Sequence, residues 1–193
     1  MSYLWSFATF DADRLLALFA DPAGAATARL VELTAWEGAG FDDPVHAADV
    51  AARFAGSGLS YEGLDARDAR VADQLVMVMF SPEGFEPDLA VEYLSAEGVH
   101  PLEINELLAR VPDARLLPVL ILGRRAGQDE TSRCEYCVLA PDELGVLLRE
   151  IDRGLADDRP WPTAYGRATV QDHLRQPIQR ALEMGSWVYG QLS

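Results

Sequence analysis

The chain has 193 residues, of which 49% are hydrophobic, a length and composition that fit a folded domain and exclude wholesale disorder. Its 31 acidic residues outnumber its 16 basic residues and give a net charge of −15. Nucleic acids and anionic membranes repel such a chain, so we expect neither as a partner, whereas a basic protein partner is attracted. The acidity also has a simpler interpretation, because net charge alone keeps a protein soluble.

All 16 basic residues are arginine, a bias that indicates a GC-rich bacterial genome. The absence of lysine excludes Schiff-base lysine chemistry and a P-loop lysine. No run approaches the roughly 18 apolar residues of a membrane span, and residues 1–14 lack the charged-then-apolar pattern of a secretion signal. We therefore expect a cytoplasmic protein.

The first half of the chain predicts one strand followed by helices. Residues 2–10 are rich in aromatic and β-favouring side chains, which predicts a strand. Asp11 or Asp13 then caps a first helix. Three further helices are predicted, over residues 25–36, 44–54 and 65–80. The apolar run at residues 75–80 fits a strand or a buried helix, and the length of its segment favours helix.

The second half begins with two predicted helices, a short one over residues 88–95 and one from His100 to Pro112. The inward residues of the second are predicted to be Leu102, Leu107, Leu108 and Val111. A β-hairpin is predicted next. Its strands are residues 116–123 and 133–139, and its polar turn is residues 124–132.

A long amphipathic helix over residues 141–155 follows the hairpin, with Pro141 at its start and acids in its first turn, where the helix dipole favours them. Thr169 or Asp172 is predicted to cap a final helix that Pro177 kinks or restarts. Gly185 ends that helix, and residues 187–192 predict a last strand.

These elements predict an α+β fold in a single domain over residues 1–193. Regular alternation of strands and helices is missing, so a doubly wound parallel sheet is not expected. We expect an antiparallel sheet of three to five strands packed with about six to eight helices. The predicted strands are residues 2–10, 116–123, 133–139 and 187–192.

Three segments resemble small bacterial domains of unknown function of the YfbM-like type. They are the opening strand MSYLWSFATF running into DADRLLALF, the strand-to-helix junction CVLAPDELGVLLREI, and the closing segment ALEMGSWVYGQLS. The resemblance implies a single cytoplasmic α+β domain with no assigned activity. It carries over no catalytic residue.

Cys134 and Cys137 form the one recognisable chemical spacing, a CxxC pair of the kind used in zinc and redox sites. A structural zinc site needs four ligands, and only His46, His100 and His173 remain, all distant in sequence. Residues three apart on a strand point to opposite faces. The pair therefore favours two ordinary thiols, and we expect no metal and no cofactor, with a zinc or thiol-redox role as an alternative.

The histidines and serines give no catalytic motif, so no catalytic residue is predicted. His100 is interpreted as a cap or turn residue, with a general acid–base role beside Glu103 as an alternative. His46 and His173 are predicted at the surface. No nucleophile elbow, dinucleotide fingerprint or P-loop is present.

Aromatic residues gather late in the chain. If the terminal strands meet in the sheet, the rings line a ligand or partner surface, where Tyr and Trp are enriched. The alternative is that the rings cover the sheet edge or core. The candidate surface consists of Trp5, Trp161, Tyr165, Trp187 and Tyr189.

Three hypotheses of function follow. The first is a binding or regulatory protein, immunity-like or an adaptor, for a basic protein partner. The second is an enzyme of unrecognised class with a pocket near the late aromatics. The third is a zinc or thiol-redox protein that uses Cys134 and Cys137.

Overall fold

The computed structural model describes residues 5–19, 44–80, 90–94, 99–122 and 136–192. The helix predicted over residues 25–36 and the turn predicted over residues 124–132 lie outside these ranges.

The chain divides into two compact units. Unit 1 consists of Met1–Phe10 and Glu92–Ser193, and unit 2 consists of Asp11–Val91. The single domain expected over residues 1–193 stays a prediction.

Four described strands form one sheet: β1 (Trp5–Phe10), β2 (Ala90–Tyr93), β3 (Tyr136–Leu139) and β4 (Trp187–Leu192), in the order β2-β1-β4-β3. The β1–β4 and β3–β4 pairs are antiparallel. The boundary between the units falls within β2. The α+β class, the antiparallel sheet and three of the four predicted strands are confirmed, whereas residues 116–123 are not in the sheet.

Unit 2 contributes three described helices: α1 (Ala12–Phe19), α2 (Pro44–Gly56) and α3 (Ala66–Phe80). Asp11 caps α1 as predicted, because its Oδ1 accepts the backbone N–H of Arg14 at 3.1 Å. The apolar run at residues 75–80 belongs to α3, so helix was the correct choice over strand.

Unit 1 contributes α4 (Pro101–Arg110), α5 (Leu117–Leu122) and α6 (Pro141–Ala156). A continuous helical run, α7, is made of Gly166–Val170, a π-helical turn at Gln171–Arg175, and Gln176–Met184. The described ranges thus hold seven helices, within the number predicted. No helix among them is both long and apolar enough to cross a membrane.

The first arm of the predicted hairpin is wrong, because residues 117–122 form helix α5. The Oε2 atom of Glu150, on α6, accepts the backbone N–H groups of Leu116 and Leu117 at 3.0 and 2.9 Å. Its Oε1 atom accepts the N–H of Arg115 at 2.7 Å. A carboxylate that accepts the unpaired N–H groups at a helix start stabilises that helix. Nothing local in the apolar run signals this distant cap.

Two further predictions are corrected in unit 1. Residues 90–93 form strand β2 rather than part of a helix over 88–95, and the N–H of Leu94 donates to the carbonyl of Phe7 at 2.9 Å, next to that strand. Leu102 does not point inward, since it is 61% exposed, whereas Ile104 is buried. The helix from His100 is otherwise confirmed.

The last helix begins at Gly166 and not at Thr169 or Asp172. Its predicted kink takes the form of the π turn, in which the N–H of Gln176 bonds the carbonyl of Gln171. Pro177 explains the turn, because its ring has no N–H to give and collides with the carbonyl four residues before it. Gly185, with φ +62°, ends the helix as predicted.

The core of unit 1 lies between the sheet and helices α4, α6 and α7. Leu144, Leu147 and Ile151 of α6 are fully buried in it, as expected for the apolar face of the predicted amphipathic helix. The ladder leaves no room beside Gly190, where a Cβ atom would lie 2.7 Å from Cys137 Sγ and 2.9 Å from the Phe7 ring. Residue 190 must therefore be glycine, because a larger side chain would collide with these neighbours.

Candidate functional sites

The late aromatics of β4 are buried in the sheet. Trp187 and Tyr189 are 8% and 5% exposed. Trp187 pairs with Phe10 across the ladder, and the two ring centroids are 5.6 Å apart. Trp5 begins β1 opposite Leu192, so the terminal strands do meet in the sheet.

The two connector aromatics have different surroundings. Tyr165 is 79% exposed, whereas Trp161 is half-buried with the guanidinium of Arg110 over its ring, 4.3 Å from the centroid. Such a contact is a cation–π interaction. The idea that all five aromatics form one ligand or partner surface stays a prediction.

Arg110 ties the connector to α4 with a side chain that has no exposed surface. Its Nη1 donates to the carbonyls of Asp157 and Arg159 at 3.1 and 3.0 Å, and its Nη2 donates to that of Pro160 at 3.1 Å. Glu106 balances its charge at 2.8 Å. Because these contacts join α4 to the connector, we assign Arg110 a structural role.

Of the two cysteines, Cys137 is buried in β3, and Cys134 lies outside the described ranges. Burial among apolar groups disfavours the reactive thiolate. Across the part of the chain that the structure describes, no three His, Cys, Asp or Glu side chains gather as metal ligands. The zinc or thiol-redox role therefore stays a prediction.

An open groove of about 530 Å³ runs along α7 in unit 1. It passes the π turn, and single π turns occur frequently at functional sites. Its volume falls in the range of small-ligand sites. The lining residues that the structure describes are Leu94, Asp172, Gln176, Pro177, Gln179, Arg180 and Glu183.

Hydrogen bonds order the polar wall of this groove. Gln176 Nε2 donates to Asp172 Oδ1 at 2.9 Å, and Gln179 Nε2 donates to Glu183 Oε1 at 2.8 Å. Gln179 Oε1 in turn accepts from Arg175 at 2.7 Å. Each glutamine therefore turns its N–H₂ group toward a carboxylate.

A second polar cluster lies on helices α2 and α3 of unit 2. Arg53 donates to Asp49 at 2.9 Å and to Asp68 at 2.7 Å, and both bonds raise the pKa of the guanidinium, the Asp68 bond most. His46 Nε2 lies 3.1 Å from the other Asp68 oxygen. Asp68 thus lies between the guanidinium of Arg53 and the imidazole of His46.

Further acids surround this cluster. Asp65 caps α3, and the N–H of Asp68, 2.8 Å from its Oδ1, lowers the pKa of the Asp65 carboxyl. Asp73 is 2% exposed and accepts the Tyr61 hydroxyl at 2.6 Å. Asp49, Glu62 and Asp65 are exposed. Three acids in and beside helices α2 and α3 are therefore exposed to solvent, and the buried acids near them are hydrogen-bonded within the protein.

The three histidines have separate settings. His100 caps α4 as predicted, since its Nδ1 accepts the N–H of Leu102 at 3.1 Å, and Glu103 lies 3.9 Å from the same atom. His46 and His173, which were predicted at the surface, are half-buried. The acid–base role of His100 stays a prediction.

Sequence patterns missed both polar sites. The groove wall repeats polar residues three and four apart from Asp172 to Glu183, a spacing that places side chains on one helix face. That signal was available, but the second wall at Leu94 is distant in sequence. The α2–α3 cluster had no local signal beyond the high density of acids.

Comparison of the chain with protein-family models, with curated proteins and with solved structures found no match. The resemblance to YfbM-like domains therefore stays an expectation.

Proposed function

We propose that this protein is a non-enzymatic binding or regulatory protein, immunity-like or an adaptor, and that unit 2 binds a basic protein partner. The uneven distribution of charge supports this function. Unit 2 has fifteen acidic residues against five arginines, whereas unit 1 has sixteen against eleven. Two thirds of the excess negative charge thus lies in the smaller unit.

The contacts in unit 2 strengthen the argument. Arg53 forms ion pairs with Asp49 and Asp68 of the same unit. Exposed Glu62 and Asp65 add carboxylates near the start of α3. A high density of acidic charge in one unit steers a basic partner and raises the association rate more than a dispersed charge does.

The test uses the full chain and an eight-residue arginine peptide, with an eight-residue glutamate peptide as the control ligand. Binding is measured by calorimetry at low and high salt. We expect only the arginine peptide to bind, and we expect its affinity to fall as salt rises because exposed charges are screened. Binding that does not change with salt contradicts the proposal.

Charge-matched variants locate the binding. Asp49→Asn, Glu62→Gln and Asp65→Asn together remove three charges from unit 2, and asparagine at 65 retains the ability to cap. Asp113→Asn, Asp142→Asn and Asp158→Asn remove three from unit 1. We expect the first set to weaken binding about tenfold and the second less than about threefold, since tenfold corresponds to about 1.4 kcal/mol. Equal losses overturn the assignment to unit 2.

A further inference from the structure

The groove along α7 has an ordered wall that is rich in hydrogen-bond acceptors. Asp172, Gln176, Gln179 and Glu183 follow one another at spacings of four, three and four, and all four line the groove. The Asp172–Gln176 and Gln179–Glu183 bonds hold these side chains in place. A ligand therefore meets groups that are already positioned.

The hydrogen bonds decide which atoms are left for a ligand. Each amide group directs N–H toward a carboxylate and uses one oxygen of that carboxylate. The second oxygens of Asp172 and Glu183, and the amide oxygen of Gln176, accept none of the hydrogen bonds found within the described ranges. The atoms left over are thus acceptors suited to a ligand with several donors.

The charge of the groove also favours a ligand that donates hydrogen bonds. Arg175, which lies on the same helix and bonds to Gln179 of the wall at 2.7 Å, also donates to Asp152 at 2.6 Å. Among the lining residues that the structure describes are two carboxylates and one guanidinium, that of Arg180, so these residues together carry a net negative charge. A cationic donor is favoured over an anion or a neutral group.

We propose that this groove binds a guanidinium group, presented by an arginine side chain of a protein or by a small guanidinium compound. A guanidinium offers five N–H donors in a planar fork, which matches carboxylate oxygens better than a compact ammonium group does. The site lies wholly in unit 1, so the inference stands whether or not unit 2 binds a basic partner.

The test titrates the full chain with N-acetyl-L-arginine amide and follows backbone amide shifts by NMR. The neutral isostere N-acetyl-L-citrulline amide and the ammonium analogue N-acetyl-L-lysine amide are the controls. We expect shifts confined to residues 172–183 and Leu94, a dissociation constant on the order of 1 mM, weaker binding of the lysine probe, and no binding of the citrulline probe. Equal binding of the citrulline probe overturns the inference, as do shifts confined to unit 2.

Variants of the wall supply the second arm. Asp172→Asn with Glu183→Gln keeps the shape of both side chains and is expected to weaken arginine binding about tenfold or more. The matched pair Asp142→Asn with Asp158→Asn removes the same charge elsewhere in unit 1 and is expected to change binding less than about twofold. Equal effects of the two pairs contradict the groove as the site.

Arg180→Gln is expected to strengthen binding, whereas damage to the fold would weaken it. The substitution removes the one cation among the described lining residues, so we expect arginine binding to strengthen about threefold. Weaker binding counts against the proposal.

The blocked peptide acetyl-Gly-Arg-Gly-amide distinguishes the two possible sources of the guanidinium group, a protein side chain and a small compound. Tighter binding of the peptide than of the amino-acid probe assigns a protein side chain, and equal binding assigns a small compound.

Discussion

Glu150 Oε2 accepts the backbone N–H of Leu117 at 2.9 Å, across 33 positions of sequence. The same carboxylate accepts two more N–H groups, from Arg115 and Leu116, and Glu150 is 4% exposed. One buried side chain of α6 thus satisfies the start of α5. The helical state of the apolar run that follows depends on it.

We expect Glu150→Gln to lower the free energy of unfolding by about 2–3 kcal/mol, because hydrogen bonds to a charged group are strong and a buried donor left unpaired is costly. The amide offers one acceptor in place of two and turns an N–H₂ group toward N–H donors. Urea unfolding measures the loss, and hydrogen exchange at Leu117 is expected to speed up. The exposed substitution Glu183→Gln is the control, and a loss as small as that of the control contradicts the capping role.

Arg110→Lys tests the buried guanidinium of α4. Lysine has no fork for the carbonyls of Asp157, Arg159 and Pro160 and no planar face for Trp161, so we expect a loss of about 2–4 kcal/mol in urea unfolding.

The matched control for Arg110 is Arg153→Lys. Arg153 pairs with Asp113 at 2.6 Å, but both side chains are more than half exposed. Exposed pairs contribute little, so we expect a change within about 0.5 kcal/mol. Similar losses for the two substitutions would contradict the structural role assigned to Arg110.

Asp157 predicts a pH dependence of stability. Its carboxylate accepts the Nε–H of Arg159 at 2.9 and 3.0 Å and the backbone N–H of Arg159 at 2.9 Å, and these bonds, the side-chain bond most, lower its pKa from 3.8 to about 2. A folded pKa below the unfolded one gives a stabilisation that is present above about pH 4 and is lost as the pH falls to about 2.

We therefore expect Asp157→Asn to lower the urea midpoint at neutral pH and to converge with the unsubstituted protein near pH 2. The neighbouring exposed substitution Asp158→Asn is the control. Asp65 and Asp113 also have lowered pKa values, so the protein as a whole is expected to keep some acid sensitivity in the Asp157→Asn variant. A gap between the two curves that does not close on acidification contradicts this account.

Gly190→Ala tests the tight ladder between β4 and its neighbours. The added methyl group would lie 2.7 Å from Cys137 Sγ and 2.9 Å from the Phe7 ring, so we expect a loss of about 1–3 kcal/mol.

Combining Gly190→Ala with Cys137→Ala removes the sulfur atom and is expected to recover part of that loss. The coupling in the double-mutant cycle, measured by urea unfolding, checks this. Purely additive effects would mean that Cys137 does not constrain residue 190.

Local signals predicted the elements that depend on nearby residues. Pro141 and the acids of the first turn of α6 lie within four positions of its start, and the predicted helix is confirmed. Gly185 ends α7 by its own backbone conformation. In such cases the deciding atoms are encoded beside the element itself.

Elements that depend on distant residues were missed. α5 requires Glu150, and β2 requires a free edge beside β1. The sequence therefore predicted a strand where α5 forms and a helix where β2 forms. The same reason hid the groove, which needs Leu94 opposite α7. Tertiary context overrides short-range preference in each of these cases.

The pairing of β1 with β4 constrains how the chain acquires its structure. Trp5 faces Leu192 across the ladder, and β4 is also the partner of β3. A ribosome adds about 5–20 residues each second, so β1 waits roughly ten to forty seconds for the strand that completes its pairing. Contacts so far apart in sequence form slowly and leave strand edges open meanwhile. Folding of unit 1 is therefore completed only after synthesis of its last strand, and that interval is when the nascent protein is most prone to aggregate.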